Sequence, residues 1–223
     1  MRTTNNTDIN IFNYTGLTDC RRIQSIISGY LILPEMQVLD WGCGCGRVSR
    51  FVEKIVPADC VFGVDIDPVN IKWVQEHLDA ERYSLISFEP SLPFKNGSFD
   101  LIYGISVMTH LKLPDQRAWL RELHRVLKPK GYLILTYLGL AAFFAHVNNG
   151  VMLEQLLAHG FLDAGRNAGL DEGHNESKER DLYRNVFNTL DNVASQASDL
   201  FDIALFIPGG NSAQHDYVVF RKL

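Results

Sequence analysis

Apolar runs of strand length alternate with amphipathic stretches of helical period between residues 36 and 137. The apolar runs predict strands near 37–40, 60–65, 83–88, 99–105 and 132–137. Apolar positions three or four residues apart predict helices near 18–31, 47–55 and 115–127, and Asp67-Pro68 has the residue types that cap and open another helix. This alternation is typical of βαβ units around a mostly parallel sheet.

The pattern weakens beyond residue 137. It predicts a helix near 151–159, and the charge-rich stretch 163–181 is interpreted as a surface loop or lid. Two strands at 201–207 and 217–221 follow, joined by a turn whose glycines let the backbone reverse. The predicted fold is therefore a doubly wound α/β sheet of seven strands, mostly parallel with one antiparallel C-terminal strand.

A chain of 223 residues, 46% hydrophobic, is large enough for one substantial core and small for two. We expect a single domain in four parts: a cap segment (1–35), a core (36–137), a substrate or lid insertion (138–190) and C-terminal strands (191–223).

Composition narrows the classes of partner. The 21 Lys and Arg against 26 Asp and Glu give a charge of −5 without a dense basic run, so nucleic acid is not expected. The polar N-terminus and the absence of an apolar run near the roughly 18 residues of a membrane span favour a cytoplasmic protein. The four cysteines lack the spacing of a zinc site, and no metal is expected.

The first predicted strand ends at Asp40 and runs into a glycine-rich turn, Gly42-Cys43-Gly44-Cys45-Gly46. In open α/β folds, ligands bind at the carboxyl edge of the sheet, where such a turn lets them approach the backbone closely. The spacing is Gly-x-Gly-x-Gly, whereas dinucleotide sites use Gly-x-Gly-x-x-Gly beside a pyrophosphate. A carboxylate at Asp40 disfavours a pyrophosphate and favours a cation, either in direct contact or through water.

Asp65 ends the second predicted strand, 19 residues after Gly46. An ionised carboxylate has two acceptor oxygens, which can bind both hydroxyls of a ribose. Asp67 is an alternative for this role, but its place before Pro68 favours a helix cap. The alternative for Asp65 is a structural one, in which it is a surface carboxylate at the end of a strand and binds no ligand.

Four segments in this order, VLDWGCGCGRVSRF, VFGVDID, LPFKNGSFDLIYGISVMTHL and LHRVLKPKGYLILT, resemble the motifs of class I S-adenosylmethionine-dependent methyltransferases. The resemblance covers about residues 36 to 137 and implies a Rossmann-like fold with S-adenosyl-L-methionine as cofactor and S-adenosyl-L-homocysteine as product. SVMTHL and QHDYVVFRK also resemble a bacterial subgroup often encoded near glycosyltransferases, which suggests a sugar or polysaccharide acceptor.

The resemblance implies roles for individual residues. The methionine part of the cofactor would lie against Asp40, Gly42, Cys43, Gly44 and Gly46, the ribose against Asp65 and the adenine against Ile66, while its amino group would meet the backbone of Gly104, Ile105 and Ser106. Many relatives place an Asp before Leu-Pro-Phe to read adenine. This chain has Phe88-Glu89-Pro90-Ser91 there, which leaves Phe88 and Glu89 as candidates.

Methyl transfer needs alignment of the nucleophile and exclusion of water more than a covalent catalyst. His110 follows the fourth core strand and is a candidate general base, with a capping or orienting role as the alternative. Tyr14 is a candidate to fold over the cofactor, and Tyr183 and Arg184 are candidates to face the substrate; ordinary packing is the alternative for each.

The predicted function is methyl transfer to an oxygen or nitrogen of a small molecule or glycan. Two alternatives remain: a non-catalytic subunit that binds S-adenosylmethionine, and an NAD-dependent oxidoreductase, which the glycine spacing disfavours. The acceptor and the oligomeric state do not follow from the sequence, because specificity lies in the least patterned loops.

Overall fold

The computed structural model describes residues 8–29, 35–147, 149–167, 183–211 and 214–223. The strands in these ranges are β1 (Val38–Trp41), β2 (Val61–Asp65), β3 (Tyr83–Leu85), β4 (Phe99–Gly104), β5 (Leu127–Tyr137), β6 (Phe161–Arg166), β7 (Arg184–Asn188), β8 (Phe201–Ile207) and β9 (Asp216–Lys222). The α-helices are α1 (Ile9–Ser28), α2 (Ser49–Val52), α3 (Pro68–His77), α4 (Leu113–Val126), α5 (Leu140–His146), α6 (Gly150–His159) and α7 (Leu190–Ala197).

Seven strands form one sheet in the order β3-β2-β1-β4-β5-β9-β8. The first five strands along the chain pair in parallel, and β9 pairs antiparallel with both β5 and β8. The prediction of a mostly parallel α/β sheet with one reversed C-terminal strand is therefore confirmed. The reversed strand lies between β5 and β8 rather than at the outer edge of the sheet.

Helices cover both faces of this sheet, which explains why its central strands are apolar on both sides. On one face, α4 buries Leu120 and Leu123 against the strands. On the opposite face, α1 buries Ile23 and Ile27. The two layers leave the carboxyl edge of the parallel strands open for a ligand.

Several boundaries differ from the prediction. Helix α1 begins at Ile9 rather than near residue 18, because the carboxylate of Asp8 accepts a hydrogen bond from the Asn10 backbone N–H at 2.8 Å and caps the helix early. The helix predicted over 47–55 is a single turn, Ser49–Val52, flanked by turns before Pro57. Strand β3 ends at Leu85, three residues before the predicted end.

The chain beyond β5 has more regular structure than predicted. Helix α6 confirms the helix expected near 151–159, whereas α5 and α7 were not predicted. Residues 163–166, interpreted from sequence as loop or lid, belong to β6, which pairs antiparallel with β7 in a separate two-stranded sheet. The remainder of that charged stretch, 168–181, lies outside the described residues.

No helix within the described ranges combines the length and the apolar character that a membrane span requires.

Candidate functional site

The carboxyl ends of β1, β2, β4 and β5 meet at one edge of the sheet, and the reversed strand β9 begins there, where Asp216 pairs with Tyr137. A cavity of about 910 Å³ opens at this edge and is walled on its other sides by α1 and by the β6–β7 hairpin. This volume lies near the top of the range of ~300–1,000 Å³ for small-molecule sites.

The glycine-rich turn after β1 forms one wall of the cavity through Gly42. Gly42, Gly44 and Gly46 all have φ in the left-handed region, at 78°, 55° and 72°. Only glycine adopts this conformation at little cost, so the Gly-x-Gly-x-Gly spacing is a requirement of the turn itself. Cys43 is buried beneath the turn, and its backbone N–H donates to Val64 O at 3.0 Å.

Asp65 lines the cavity at the end of β2. One carboxylate oxygen accepts from the Gly44 N–H at 2.7 Å and the other from the Asp67 N–H at 2.8 Å. Burial raises the pKa of Asp65, and these two backbone hydrogen bonds lower it. Asp67 itself caps α3, accepting from the Val69 N–H at 2.9 Å, as predicted.

Asp40 does not line the cavity: its carboxylate is buried beneath the turn. It accepts hydrogen bonds from Ser49 Oγ at 2.5 Å and Tyr103 OH at 3.0 Å. Burial raises the pKa of Asp40 to about 7, and the two hydrogen bonds lower it. The direct contact with a cation that the sequence suggested has no open path in this structure, so any electrostatic effect of Asp40 acts through the turn.

The residues considered for adenine differ in position. Ile66 and Phe88 both line the cavity, together with Ile86. Glu89 has an exposed side chain and is not part of the cavity wall. Of the two candidates that stand where relatives have Asp, Phe88 is therefore the one placed to contact a ligand.

The end of β4 contributes Ile105 and Ser106 to the cavity, whereas Gly104 is buried behind it. Ser106 is a non-glycine residue with φ of 65°, and its N–H donates to Thr136 Oγ1 at 2.7 Å. Non-glycine residues in this region of φ are strained by about 1–3 kcal/mol and cluster at functional sites. An ammonium only donates hydrogen bonds, so the group of this backbone suited to meet one is the Ser106 carbonyl, which already accepts from Thr109 Oγ1 at 3.0 Å and has a second lone pair.

Helix α1 lies across the glycine turn and covers the cavity with Phe12 and Thr15. It approaches so closely that a Cβ atom at Gly16 would overlap the backbone oxygen of Arg47. Tyr14 points away from this contact: its side chain is 66% exposed and does not line the cavity. Its role as a cover over the cofactor stays a prediction.

Two charged residues of the cavity wall were not predicted. Arg47 follows the glycine turn directly and pairs with Asp19 of α1, with Nη1 and Oδ2 2.7 Å apart. Asp19 is 4% exposed and also accepts from Tyr217 OH at 2.7 Å. The position of Arg47 after the turn was a usable signal, but nothing in the sequence connects Asp19 to that turn.

His110 lines the cavity from the short 3₁₀ helix Met108–His110, and its Nδ1 lies 2.7 Å from the carbonyl oxygen of Arg184. A carbonyl only accepts hydrogen bonds, so Nδ1 carries the proton and Nε2 is the basic nitrogen of the neutral ring. Tyr183, another predicted substrate contact, lines the cavity and meets the His110 ring edge-on at 5.4 Å. The side chain of Arg184 instead bonds Asp163 at 2.6 Å.

His146 and His215 also line the cavity, and neither was predicted as a site residue. His215 immediately precedes β9, so the reversal of that strand carries it to the carboxyl edge. In the described ranges, no three His, Cys, Asp or Glu side chains come together as a metal-binding group.

This strand order, with a glycine turn and a strand-end carboxylate at the open edge of the sheet, is the Rossmann-like fold found in solved S-adenosylmethionine-dependent methyltransferases. Residues 38–131 match the sequence model of a family described as "Methyltransferase domain". The matched range runs from the start of β1 into β5, and so contains the turn, Asp65 and His110.

Curated relatives are similar over the same region. The chain is 34% identical over 104 residues to 2-methyl-6-phytyl-1,4-hydroquinone methyltransferase of Synechocystis sp., covering 46% of this chain and 32% of that protein. It is 35% identical over 133 residues to malonyl-[acyl-carrier protein] O-methyltransferase of Hahella chejuensis, covering 53% and 47%. The chain thus spans between about a third and a half of the length of these relatives.

Solved structures share the fold over most of the chain. A SAM-dependent methyltransferase from Methanosarcina mazei superposes with a TM-score of 0.63 at 21% identity, covering 89% of this chain and 97% of that one. Geranyl diphosphate C-methyltransferase from Streptomyces coelicolor, in complex with Mg²⁺, geranyl diphosphate and S-adenosyl-L-homocysteine, superposes at 0.61 and 12% identity, covering 92% and 77%. At these identities the likeness is one of fold.

Proposed function

We propose that this chain transfers the methyl group of S-adenosylmethionine to an oxygen or nitrogen of a small molecule or glycan. The observation that carries the proposal is one continuous cavity whose wall contains Asp65, a carboxylate suited to binding ribose hydroxyls, and three histidines, His110, His146 and His215. Its volume of about 910 Å³ accommodates a cofactor and an acceptor side by side.

At the cofactor end, Asp65 would hold the ribose hydroxyls. Each of its oxygens already accepts one backbone hydrogen bond, and an ionised carboxylate offers about four acceptor positions, so one remains at each oxygen. Ile66 and Phe88 would enclose the adenine ring, because both are apolar side chains of the same cavity wall as Asp65. The bare turn at Gly42 would lie along the chain that links ribose to methionine.

Arg47 would bind the carboxylate of the methionine part. It is the one Lys or Arg in the cavity wall that the structure describes. A guanidinium has five N–H donors, and one nitrogen of Arg47, Nη1, bonds Asp19. The Asp19 pair and the hydrogen bond from Tyr217 to Asp19 hold the arginine against the turn, so little side-chain entropy is lost on binding.

When bound, S-adenosylmethionine supplies an electrophilic methyl group on a positively charged sulfur. The chain's own residues orient the acceptor and keep water out: Trp41 and Trp119, with ring centroids 5.1 Å apart, give the cavity an apolar wall. His110 would accept the acceptor's proton through Nε2, since Nδ1 is tied to the Arg184 carbonyl.

The relatives support a small-molecule acceptor. The two curated relatives described above are named as methyltransferases of 2-methyl-6-phytyl-1,4-hydroquinone and of malonyl-[acyl-carrier protein]. We extend only the reaction type to this chain, since it spans less than half of each of them.

Calorimetry with S-adenosylhomocysteine, 5′-methylthioadenosine and NADH tests the proposal and the role of Arg47 together. The wild-type protein is expected to bind the first two ligands and not NADH. Arg47→Met is expected to weaken S-adenosylhomocysteine by about tenfold or more, as for a lost hydrogen bond to a charged group, and to leave methylthioadenosine, which lacks the amino acid, within about twofold. Arg117→Met is the control: it removes the same charge at an exposed position on α4, and ligand affinity is expected to stay unchanged.

Arg47→Met leaves the buried Asp19 carboxylate without its cationic partner, which can destabilise the fold. Two further variants separate this effect from ligand binding: Arg47→Lys keeps a positive charge, and the double variant Asp19→Asn/Arg47→Met removes both charges. Failure of the wild-type protein to bind S-adenosylhomocysteine would refute the proposed function. Binding without methyl transfer in a labelled-methyl screen of hydroxyl and amine compounds would indicate a non-catalytic subunit instead.

A further inference from the structure

His215 has a histidine side chain in the wall of the cavity that the proposed cofactor contacts do not use. The residue is 7% exposed, and its Nδ1 is fully covered with no hydrogen-bond partner among the described residues. The hydrogen bonds of His215 in the same residues are those of its backbone, with Asn211 Oδ1 at 3.0 Å and the Gly210 N–H at 2.7 Å.

An unpartnered buried ring nitrogen costs about 1–3 kcal/mol and calls for an explanation in a folded protein. Other polar side chains in this wall do have partners: His110 is bonded to the Arg184 carbonyl, and Asn167 to Asn185 at 3.0 Å. Rotation of the His215 ring by about 180° around χ2 exchanges the edge that carries Nδ1 with the edge that carries Nε2. This rotation breaks no hydrogen bond among the described residues. The imidazole is therefore available to a molecule in the cavity.

The surroundings of His215 favour its neutral form. Burial lowers the pKa of His215 to about 4, and the nearby charges of His110, Arg47 and His146 act in the same direction, while Asp19 opposes them. A neutral imidazole accepts a hydrogen bond from a hydroxyl and adds no positive charge beside a sulfonium.

The rest of the wall indicates what kind of molecule carries that hydroxyl. Its described charged side chains are Asp19, Arg47 and Asp65, and each is already paired or hydrogen-bonded. Between residues 138 and 187, the wall includes five apolar side chains, Leu138, Val147, Met152, Ala164 and Phe187, together with the polar side chains of His146, Asn167, Tyr183 and Asn185. An anionic acceptor would find no unpaired cation in this part of the wall, whereas an apolar ring would be well covered.

We propose that His215 binds a hydroxyl group of the methyl acceptor and thereby selects a neutral acceptor with an apolar, ring-sized body. The inference rests on the proposed methyltransferase function and assigns the acceptor end of the same cavity. It makes His215 a specificity-determining residue, while His110 remains the candidate base.

Histidine-selective ¹H–¹⁵N NMR of the full chain, saturated with S-adenosylhomocysteine, tests this directly. Catechol is the hydroxyl probe and 1,2-dimethoxybenzene its matched ether; methyl glucoside and its fully methylated form are the corresponding sugar pair. The His215 nitrogen resonances are assigned as those absent from the spectrum of His215→Phe. Catechol is expected to shift these resonances, whereas 1,2-dimethoxybenzene is expected to leave them unchanged. His77, stacked on Trp73 on the exposed side of α3, is the internal reference.

His215→Phe is expected to weaken catechol by about threefold to tenfold, the size of one net hydrogen bond, while S-adenosylhomocysteine affinity stays unchanged. Equal shifts by catechol and its ether, or no shift by either hydroxyl probe, would overturn the inference. A shift by methyl glucoside alone would overturn the apolar-body assignment. Loss of S-adenosylhomocysteine binding in the wild-type protein would instead overturn the proposed function, so the two failures are distinct.

Discussion

The carboxylate of Asp65 accepts a hydrogen bond of 2.7 Å from the backbone N–H of Gly44. This bond ties the end of β2 to the turn that follows β1, so the two features that the sequence suggested as separate cofactor contacts form one unit. The same carboxylate holds the Asp67 N–H at 2.8 Å and thereby orients the start of α3. A substitution at Asp65 therefore acts on turn geometry as well as on ligand binding.

Asp65→Ala is expected to weaken S-adenosylhomocysteine by about 2–3 kcal/mol, because two ribose hydroxyls lose a charged acceptor. Isothermal titration calorimetry measures the loss. Asp67→Asn is the control: asparagine also caps helices, and Asp67 does not line the cavity, so affinity should not change. An Asp65→Ala protein with wild-type affinity would move the ribose contact to another residue.

Gly16→Ala is expected to destabilise the protein by about 1–3 kcal/mol, although the same change in an open helix stabilises by up to ~1 kcal/mol. The added Cβ would overlap the Arg47 carbonyl oxygen and push α1 off the glycine turn. Urea unfolding measures the change. Gly150→Ala, in the first turn of α6 with no heavy atom within 4 Å of the new Cβ, is the matched control and should stabilise or be neutral. Two variants of equal stability would contradict the close approach.

The sequence predicted the sheet well because its central strands are buried on both faces and show as continuous apolar runs. It predicted the start of α1 poorly, since the first half of that helix, INIFNYTGLT, mixes apolar residues with Asn, Thr and Gly, which have low helix propensity. The β6–β7 hairpin was missed for a related reason: Asp163 and Arg184 give its strands a charged pattern, and their pairing across the hairpin becomes visible only in three dimensions.

The candidate site likewise contains residues that the sequence could predict and residues that it could not. Gly42 and Asp65 were predictable because a strand end followed by glycine is a local pattern, and both line the cavity. Asp40 has the same local pattern, but Ser49 and Tyr103 cover it, and the second of these lies 63 residues away along the chain. His215 reaches the cavity because β9 runs antiparallel to β5, a relation that no local signal encodes.

His110→Asn is expected to lower the rate of methyl transfer by about 10²-fold or more, with S-adenosylhomocysteine affinity within twofold. The asparagine amide can still donate to the Arg184 carbonyl in place of Nδ1, but it provides nothing at the position of Nε2. Initial rates with the acceptor found in a labelled-methyl screen provide the measurement. Full activity in His110→Asn would assign His110 to holding β7 rather than to catalysis.

Asp40→Asn is expected to stabilise the protein at pH 8 more than at pH 5. Burial raises the pKa of Asp40 from 3.8 to about 7, so the folded protein binds this proton more tightly than the unfolded chain does. Stability from this group is present at low pH and is lost as the pH rises from about 4 to about 7. Asparagine is neutral throughout, and its amide oxygen can accept from Ser49 and Tyr103.

Urea unfolding at the two pH values measures the effect, with an expected change of about 2–3 kcal/mol in the difference between variant and wild-type protein. Asp59→Asn, at an exposed position, should give the same difference at both pH values. If Asp40→Asn instead destabilises the protein more at pH 8 than at pH 5, the carboxylate is ionised and stabilising in the folded state. Asp40 would then act on a bound sulfonium as a buried negative charge, as the sequence first suggested.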